Sequence, residues 1–68
     1  MSVARVTEII SSSTESCEDA TRKGLKRAGK TLKNIRGAWV EGQKVECDST
    51  GHVTEFRVIL KVTFVLRD

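Results

Sequence analysis

The chain has few of the residues that catalysis, metal binding and disulfide bonding require. Its 68 residues include two cysteines, one histidine and no tyrosine. It contains no Gly-rich phosphate-binding loop, and no candidate nucleophile has a base beside it, so we expect no enzymatic activity. Cys47 and His52 flank one turn, but two candidate ligands fall short of a closed zinc site. We therefore expect a protein that binds a ligand and does not convert a substrate.

The lack of cysteine and of long apolar runs also bears on location. Cys17 and Cys47 lie far apart, and no secretory signal precedes them, so we expect both thiols to stay free. No run approaches the roughly 20 apolar residues that a transmembrane helix needs. These features favour a cytoplasmic protein without a membrane partner.

A chain of 68 residues is one domain, residues 1–68, near the lower limit for independent folding. Such a chain buries only about 60% of its unfolded surface. Below roughly 70–80 residues, disulfides, metals or oligomerisation usually supplement the core. Because no disulfide is expected here, self-association is the remaining source of stability.

The chain does have one long alternating stretch, from Thr54 to Leu66. Every second residue is apolar: Phe56, Val58, Leu60, Val62, Phe64 and Leu66. A period of two predicts a β-strand with one buried face. At about 3.3 Å per residue the strand would be about 40 Å long. No monomer of this size has so long a core, so we expect the strand to contact other subunits.

The first half of the chain predicts a strand and a helix. The segment Val3–Ile10 is rich in β-branched residues and is typical of a strand, which the hydroxyl-rich segment 11–14 should break. Ser16 has the spacing of a helix cap with Asp19. We expect the helix to run on to Gly37 as its terminating residue.

One face of that helix is a narrow stripe of mostly small residues. Its members are Cys17, Ala20, Gly24, Ala28, Thr31, Leu32 and Ile35. Such a stripe indicates a helix that lies close against a sheet, which would explain Gly24 and Gly29. Lys30, Lys33 and Arg36 would suit the negative end of the helix.

The second half predicts a hairpin whose first strand is Ala38–Cys47, with Gly42 as a bulge. A three-residue turn with Gly51 in the left-handed conformation is a common connection. It would place Gln43 opposite Arg57 and Trp39 opposite Lys61. A four-residue turn would instead bury Trp39 beside Leu60. We adopt the register of the three-residue turn.

The resulting fold class is α+β, with the order β-α-β-β and a three-stranded antiparallel sheet wrapped around one helix. The face turned away from the helix would carry Trp39, Gln43, Arg57, Ile59 and Lys61. This face is too apolar to be only solvated, so we expect subunit contacts and any ligand there.

The sequence resembles the dodecins, small flavin-binding proteins. The resemblance covers nearly the whole chain and rests on VTEII with the Ser/Thr-rich turn, on ESCEDATRKGLKRAGKTLKNIRG and on FRVILKVTFVL. It implies a hollow homododecamer that stores and protects flavin, riboflavin or FMN, between subunits. The family's flavin-stacking Trp would fall on Gly37 here, two residues before Trp39, and its flavin-bonding Gln is replaced by Arg57.

The expected flavin contacts are therefore Trp39, with Gln43 and Arg57 at the polar edge of the ring. The alternatives are that Trp39 fills a subunit interface and that Arg57 pairs with Glu41 or Glu46 of another subunit. A second possibility for the whole protein is a shell of the same architecture that holds no flavin and binds a cation such as calcium. Nucleic acid is a less favoured partner of the helix, because no aromatic residue lies among its surface cations to stack on bases. These cations are Arg22, Lys23, Lys26, Arg27, Lys30 and Lys33.

Overall fold

A computed structural model describes residues 2–66 of the chain. It contains strand β1 (Val3–Ser13), helix α1 (Cys17–Ala28), strand β2 (Ile35–Cys47) and strand β3 (Val53–Leu66). The sheet is antiparallel with the order β1-β3-β2, so the long strand β3 lies at its centre. The predicted β-α-β-β architecture is confirmed.

The core lies between α1 and the sheet. Val58, Leu60 and Val62 of β3 are fully buried, together with Ala20 of α1. Leu66, at the end of the same alternating set, is nearly half exposed. The period of two therefore marks the buried face correctly, although the single helix covers only the middle of the strand.

Strand β1 continues through the serines that were predicted to end it, so that expectation is wrong. The backbone of Ser11 and Ser13 stays paired with β3, opposite Val58 and Phe56. Their hydroxyls reach the helix instead, because Ser11 donates to the Ala20 carbonyl at 2.7 Å and Ser13 donates to the Asp19 carboxylate. The hydroxyl side chains thus join β1 to α1 without competing for the sheet hydrogen bonds.

The predicted start of the helix is confirmed, since the Ser16 hydroxyl accepts the Asp19 N–H at 2.9 Å. The Asp19 carboxylate accepts a hydrogen bond from Ser13 and pairs with Lys23 at 3.0 Å. These contacts, the Ser13 hydrogen bond first, lower the pKa of Asp19 below its ordinary value. The helix N-terminus and the end of β1 are therefore fastened to each other.

The predicted helix end at Gly37 is wrong, because α1 ends at Ala28 and Gly29 caps it. A turn follows in which Asn34 has a φ of 63°, and β2 begins at Ile35 instead of Ala38. Leu32 and Ile35 still pack against the core, now from the turn and the strand. Their helical spacing in the sequence therefore reflected a shared buried side and not a continuous helix.

Gly24 and Gly29, for which the sequence suggested one common role, have different structural roles. A Cβ on Gly24 would lie 2.7 Å from Ser11 Cβ and 3.3 Å from Leu60 Cδ1, so this glycine permits the close approach of α1 to the sheet. A Cβ on Gly29 would meet only carbonyls of its own helix, at 3.4 Å or more. Close approach therefore explains Gly24, whereas Gly29 is a helix cap.

The hairpin turn has the predicted form. Gly51 has a φ of 88°, and the Asp48 N–H donates to the His52 carbonyl at 3.0 Å. The Asp48 carboxylate accepts hydrogen bonds from Thr50 and from the His52 N–H, and these lower its pKa. The turn is thus held by its own side chains.

Candidate ligand-binding face

The face of the sheet turned away from α1 is open in one subunit, and we call it the outer face. Residues directly opposite each other on neighbouring strands project to the same side of a sheet. The outer face is therefore built from the residues of β3 that alternate with the buried set, and from their partners. These residues are Glu55, Arg57, Ile59, Lys61, Thr63 and Val65 on β3, Ala4, Val6, Glu8, Ile10 and Ser12 on β1, and Gly37, Trp39, Gly42, Lys44 and Glu46 on β2.

Trp39 is available for contact on this face. It pairs with Lys61, as predicted, and the residue is 61% exposed. Gly37 lies two residues earlier on the same face, and a Cβ there would meet nothing within 4 Å. A flat ligand can therefore approach the indole ring without obstruction from its strand neighbour.

An apolar hollow of about 290 Å³ lies on the same face, farther along β2. Ile10 and Ile59 line it, and Gly42 keeps its floor low, because a Cβ there would come within 4.0 Å of Ile59 Cδ1. Lys44 and Arg57 stand at its polar border. The face thus offers an aromatic ring, an apolar floor and two cations in succession.

The cations of the outer face have carboxylate partners in the same subunit. Arg57 donates through Nε to Glu55, and this hydrogen bond raises the pKa of the guanidinium. Lys61 Nζ lies 3.3 Å from Glu41 Oε1. Lys44 Nζ lies 3.1 Å from Glu46 Oε2, within ion-pair distance but without hydrogen-bond geometry. These partners fix the direction in which the cations point.

The predicted pairing of Gln43 with Arg57 is wrong. Gln43 pairs with Val58, which faces the helix, and Lys44 takes the position opposite Arg57. The register shifts by one residue near Thr54 and shifts back near Glu41, so the segment between these two irregularities is displaced. A third shift, between Ile35 and Gly37, lies at the start of β2.

On either side of that segment, up to Gly37, the strands keep the predicted register, in which Trp39 lies opposite Lys61. In the same register Asp48 lies opposite His52, Val40 opposite Leu60 and Ala38 opposite Val62. Gln43 borders the hollow but belongs by its pairing to the other side of the sheet. Lys44 is the residue that the sequence argument missed, and its only signal was the bulge at Gly42.

The described part of one subunit holds no preassembled metal centre. Within residues 2–66, no three His, Cys, Asp or Glu side chains converge closely enough to bind an ion. His52 contacts Thr50 through Nδ1 at 2.7 Å, and Cys47 stays a free, exposed thiol. No helix in this range is long and apolar enough to cross a membrane.

The subunit thus combines one helix with a three-stranded antiparallel sheet, whose outer face carries an exposed Trp and an apolar hollow. The family model described as Dodecin matches residues 3–67. The chain therefore belongs to the dodecin family, and assembly as a homododecamer is consistent with that family.

Several individual relatives match nearly the whole chain. Calcium dodecin from Mycobacterium tuberculosis is 39% identical over 67 residues, which is 98% of this chain and 93% of that protein. Dodecin from Streptomyces davaonensis superposes with a TM-score of 0.92 at 31% identity, over 98% of this chain and 97% of its own. The structure of a calcium-chelating dodecin from M. tuberculosis, described with a calcium-binding site, superposes with a TM-score of 0.81 at 35% identity. The match covers 96% of this chain and 91% of that one.

Proposed function

We propose that this protein stores and protects a flavin, riboflavin or FMN, in the cytoplasm and without turnover. The flavin would lie between subunits of the homododecamer, on the outer face of each. The observation that carries the proposal is the position of Trp39, exposed on that face and followed by the apolar hollow. Stacking of an aromatic ring on an indole contributes about 0.5–1.5 kcal/mol beyond the burial of area.

The polar part of the ligand is assigned to Arg57 and Lys44. Among the described residues only Nε of Arg57 is engaged, with Glu55, so its two terminal amino groups remain as donors. Such a planar fork binds ring carbonyls or a phosphate. Lys44 lies opposite Arg57 and takes the place at this border that the sequence had assigned to Gln43.

A second subunit is required because one outer face leaves most of a ligand uncovered. Ligand sites usually bury 70–90% or more of a ligand's surface. Trp39 on an open sheet covers one side of a flavin ring, and a symmetry-related copy can cover the other. The same contact would shield Ile10 and Ile59, which are exposed in a single subunit.

A second candidate function is a shell that binds a divalent cation and no flavin. Two observations favour it: relatives described as calcium dodecins match the chain at 35–39% identity, and Glu46 lies directly opposite Glu55 on the outer face. Carboxylates from neighbouring copies would have to complete such a site, because Ca²⁺ takes 6–8 oxygen ligands.

One titration separates the two functions. Riboflavin or FMN is mixed with increasing amounts of metal-free protein, and flavin fluorescence is recorded. We expect strong quenching that saturates, because an indole in contact with the ring quenches its excited state. Full fluorescence at high protein concentration would contradict flavin binding. An increase in the unfolding temperature with Ca²⁺, reversed by a chelator, would then support the cation shell.

A further inference from the structure

The turn after α1 and the start of β2 carry cations that lie too far from the helix end to be stabilised by its negative charge. The sequence suggested that Lys30, Lys33 and Arg36 suit the negative end of a long helix. However, α1 ends at Ala28, so Lys30 lies just beyond the cap and the other two lie farther away. The favourable interaction of a cation with a helix end falls off within the last turn. Lys33 and Arg36 therefore need another explanation.

Ion pairs within the subunit do not explain these cations either. The chain has seven Lys and Arg residues between Asp19 and Glu41, and no Asp or Glu. Two of the seven are paired, Arg22 with Glu18 and Lys23 with Asp19, both at 3.0 Å. The other five are exposed and have no carboxylate within 4 Å among residues 2–66. We call these five residues the basic segment: Lys26, Arg27, Lys30, Lys33 and Arg36.

The surface beside the basic segment is also free of acids. A groove of about 500 Å³ runs between α1 and the edge strand β1. Arg27 and Lys23 line it together with the hydroxyl-bearing residues Thr7 and Thr31, and no Asp or Glu does. An extended anion that contacts the basic segment thus meets further donors along the groove and no repulsion from a lining carboxylate.

We propose that the basic segment binds the phosphate backbone of a nucleic acid without reading its bases. Clustered, unneutralised cations match a partner that carries a regular series of negative charges. The lack of aromatic residues, which made nucleic acid a less favoured partner in the sequence, excludes base stacking but not backbone contact.

A membrane fits this surface less well than a phosphate backbone does. A helix that lies in a lipid interface inserts apolar side chains beside its cations. Here Leu25, Leu32 and Ile35 pack against the protein core instead. The inference is independent of flavin binding, because the basic segment does not include Trp39, Lys44 or Arg57.

The test uses the assembled protein and a short DNA duplex without a designed recognition sequence. Binding is measured at several salt concentrations for the wild type and for the double variant Lys30→Gln/Lys33→Gln. Removal of two phosphate contacts should weaken binding by about tenfold or more and reduce the salt slope by about two. The matched control is Arg5→Gln/Arg22→Gln, which removes the same charge at two exposed positions outside the basic segment. It should behave like the wild type.

Size-exclusion chromatography first confirms that each variant keeps the native particle size. Equal weakening by the two double variants would contradict the proposal, because binding would then follow net charge alone. No binding to the duplex at low salt would overturn it, and so would binding to anionic lipid vesicles without binding to DNA. Competition by inorganic polyphosphate is expected, since both polyanions present the same phosphate chemistry.

Discussion

Replacement of Gly24 with alanine is expected to lower the free energy of unfolding by about 1–3 kcal/mol, the usual range for overpacking a core. The added Cβ would lie 2.7 Å from Ser11 Cβ and 2.9 Å from Ser11 Oγ. To relieve this contact α1 must move away from β1, which would loosen the packing on Leu60 and the hydrogen bond from Ser11 to Ala20. Because both contacts are shorter than 3.0 Å, we expect a loss in the upper part of this range, of which alanine's better helix propensity, worth about 1 kcal/mol, offsets only part.

The matched control is Gly29→Ala. Gly29 has a φ of −63°, which alanine adopts readily, and the new Cβ would make only ordinary contacts. This variant should be as stable as the wild type or slightly more stable. Urea unfolding at one fixed protein concentration measures both variants, because the stability of an oligomer depends on concentration.

A second variant tests the stated cause. Ser11→Gly removes the atoms that the new Cβ would strike, so Gly24→Ala should cost less in its presence than in the wild type. A double-mutant cycle measures this coupling. If Gly24→Ala unfolds at the same urea concentration as the wild type, the close approach of α1 to β1 is not needed for stability.

The features of the fold that depend on local sequence patterns could be predicted from the sequence. The alternation in β3 predicted which side chains are buried, because a strand projects its residues to two sides with a fixed period. The three-residue turn at Gly51 and the pairing of Trp39 with Lys61 also followed from local rules. All of these depend on neighbouring residues within one element or one hairpin.

The sequence-based predictions were wrong where tertiary contacts determine the end of an element or the register of a strand. The apolar spacing of Leu32 and Ile35 suits a helix, but a turn and a strand bury the same residues after Gly29 ends α1. The serines of β1 were expected to break the strand, and they instead bond to a helix that follows later in the chain. Two compensating register shifts moved Gln43 off the outer face and brought Lys44 onto it. Gly42 indicated one of these shifts, but no local pattern indicated the other, near Thr54.

Replacement of Trp39 with alanine is expected to have the largest effect on ligand binding. Loss of aromatic stacking on one ring costs about 1–3 kcal/mol, roughly 5- to 150-fold in affinity. A flavin held between two symmetry-related indoles would lose both contacts in the variant. Fluorescence titration with riboflavin and FMN measures the affinity, and quenching should largely disappear.

Two controls separate a ligand contact from interface packing. Trp39→Phe keeps an aromatic ring and should retain much of the affinity. Val40→Ala changes the next residue on the strand, which is also exposed but projects to the other side, and should bind flavin like the wild type. If Trp39→Ala breaks the particle into smaller species, the indole fills a subunit interface, and its assignment as the flavin platform is wrong.

We expect copies of the same chain to cover the outer face, which is incomplete in one subunit. Sedimentation velocity on the purified protein at decreasing concentration tests this assembly most directly. We predict a single species of roughly twelve times the 7.5 kDa subunit mass, with unchanged secondary structure. A lone 7.5 kDa particle that stays folded on dilution would contradict it.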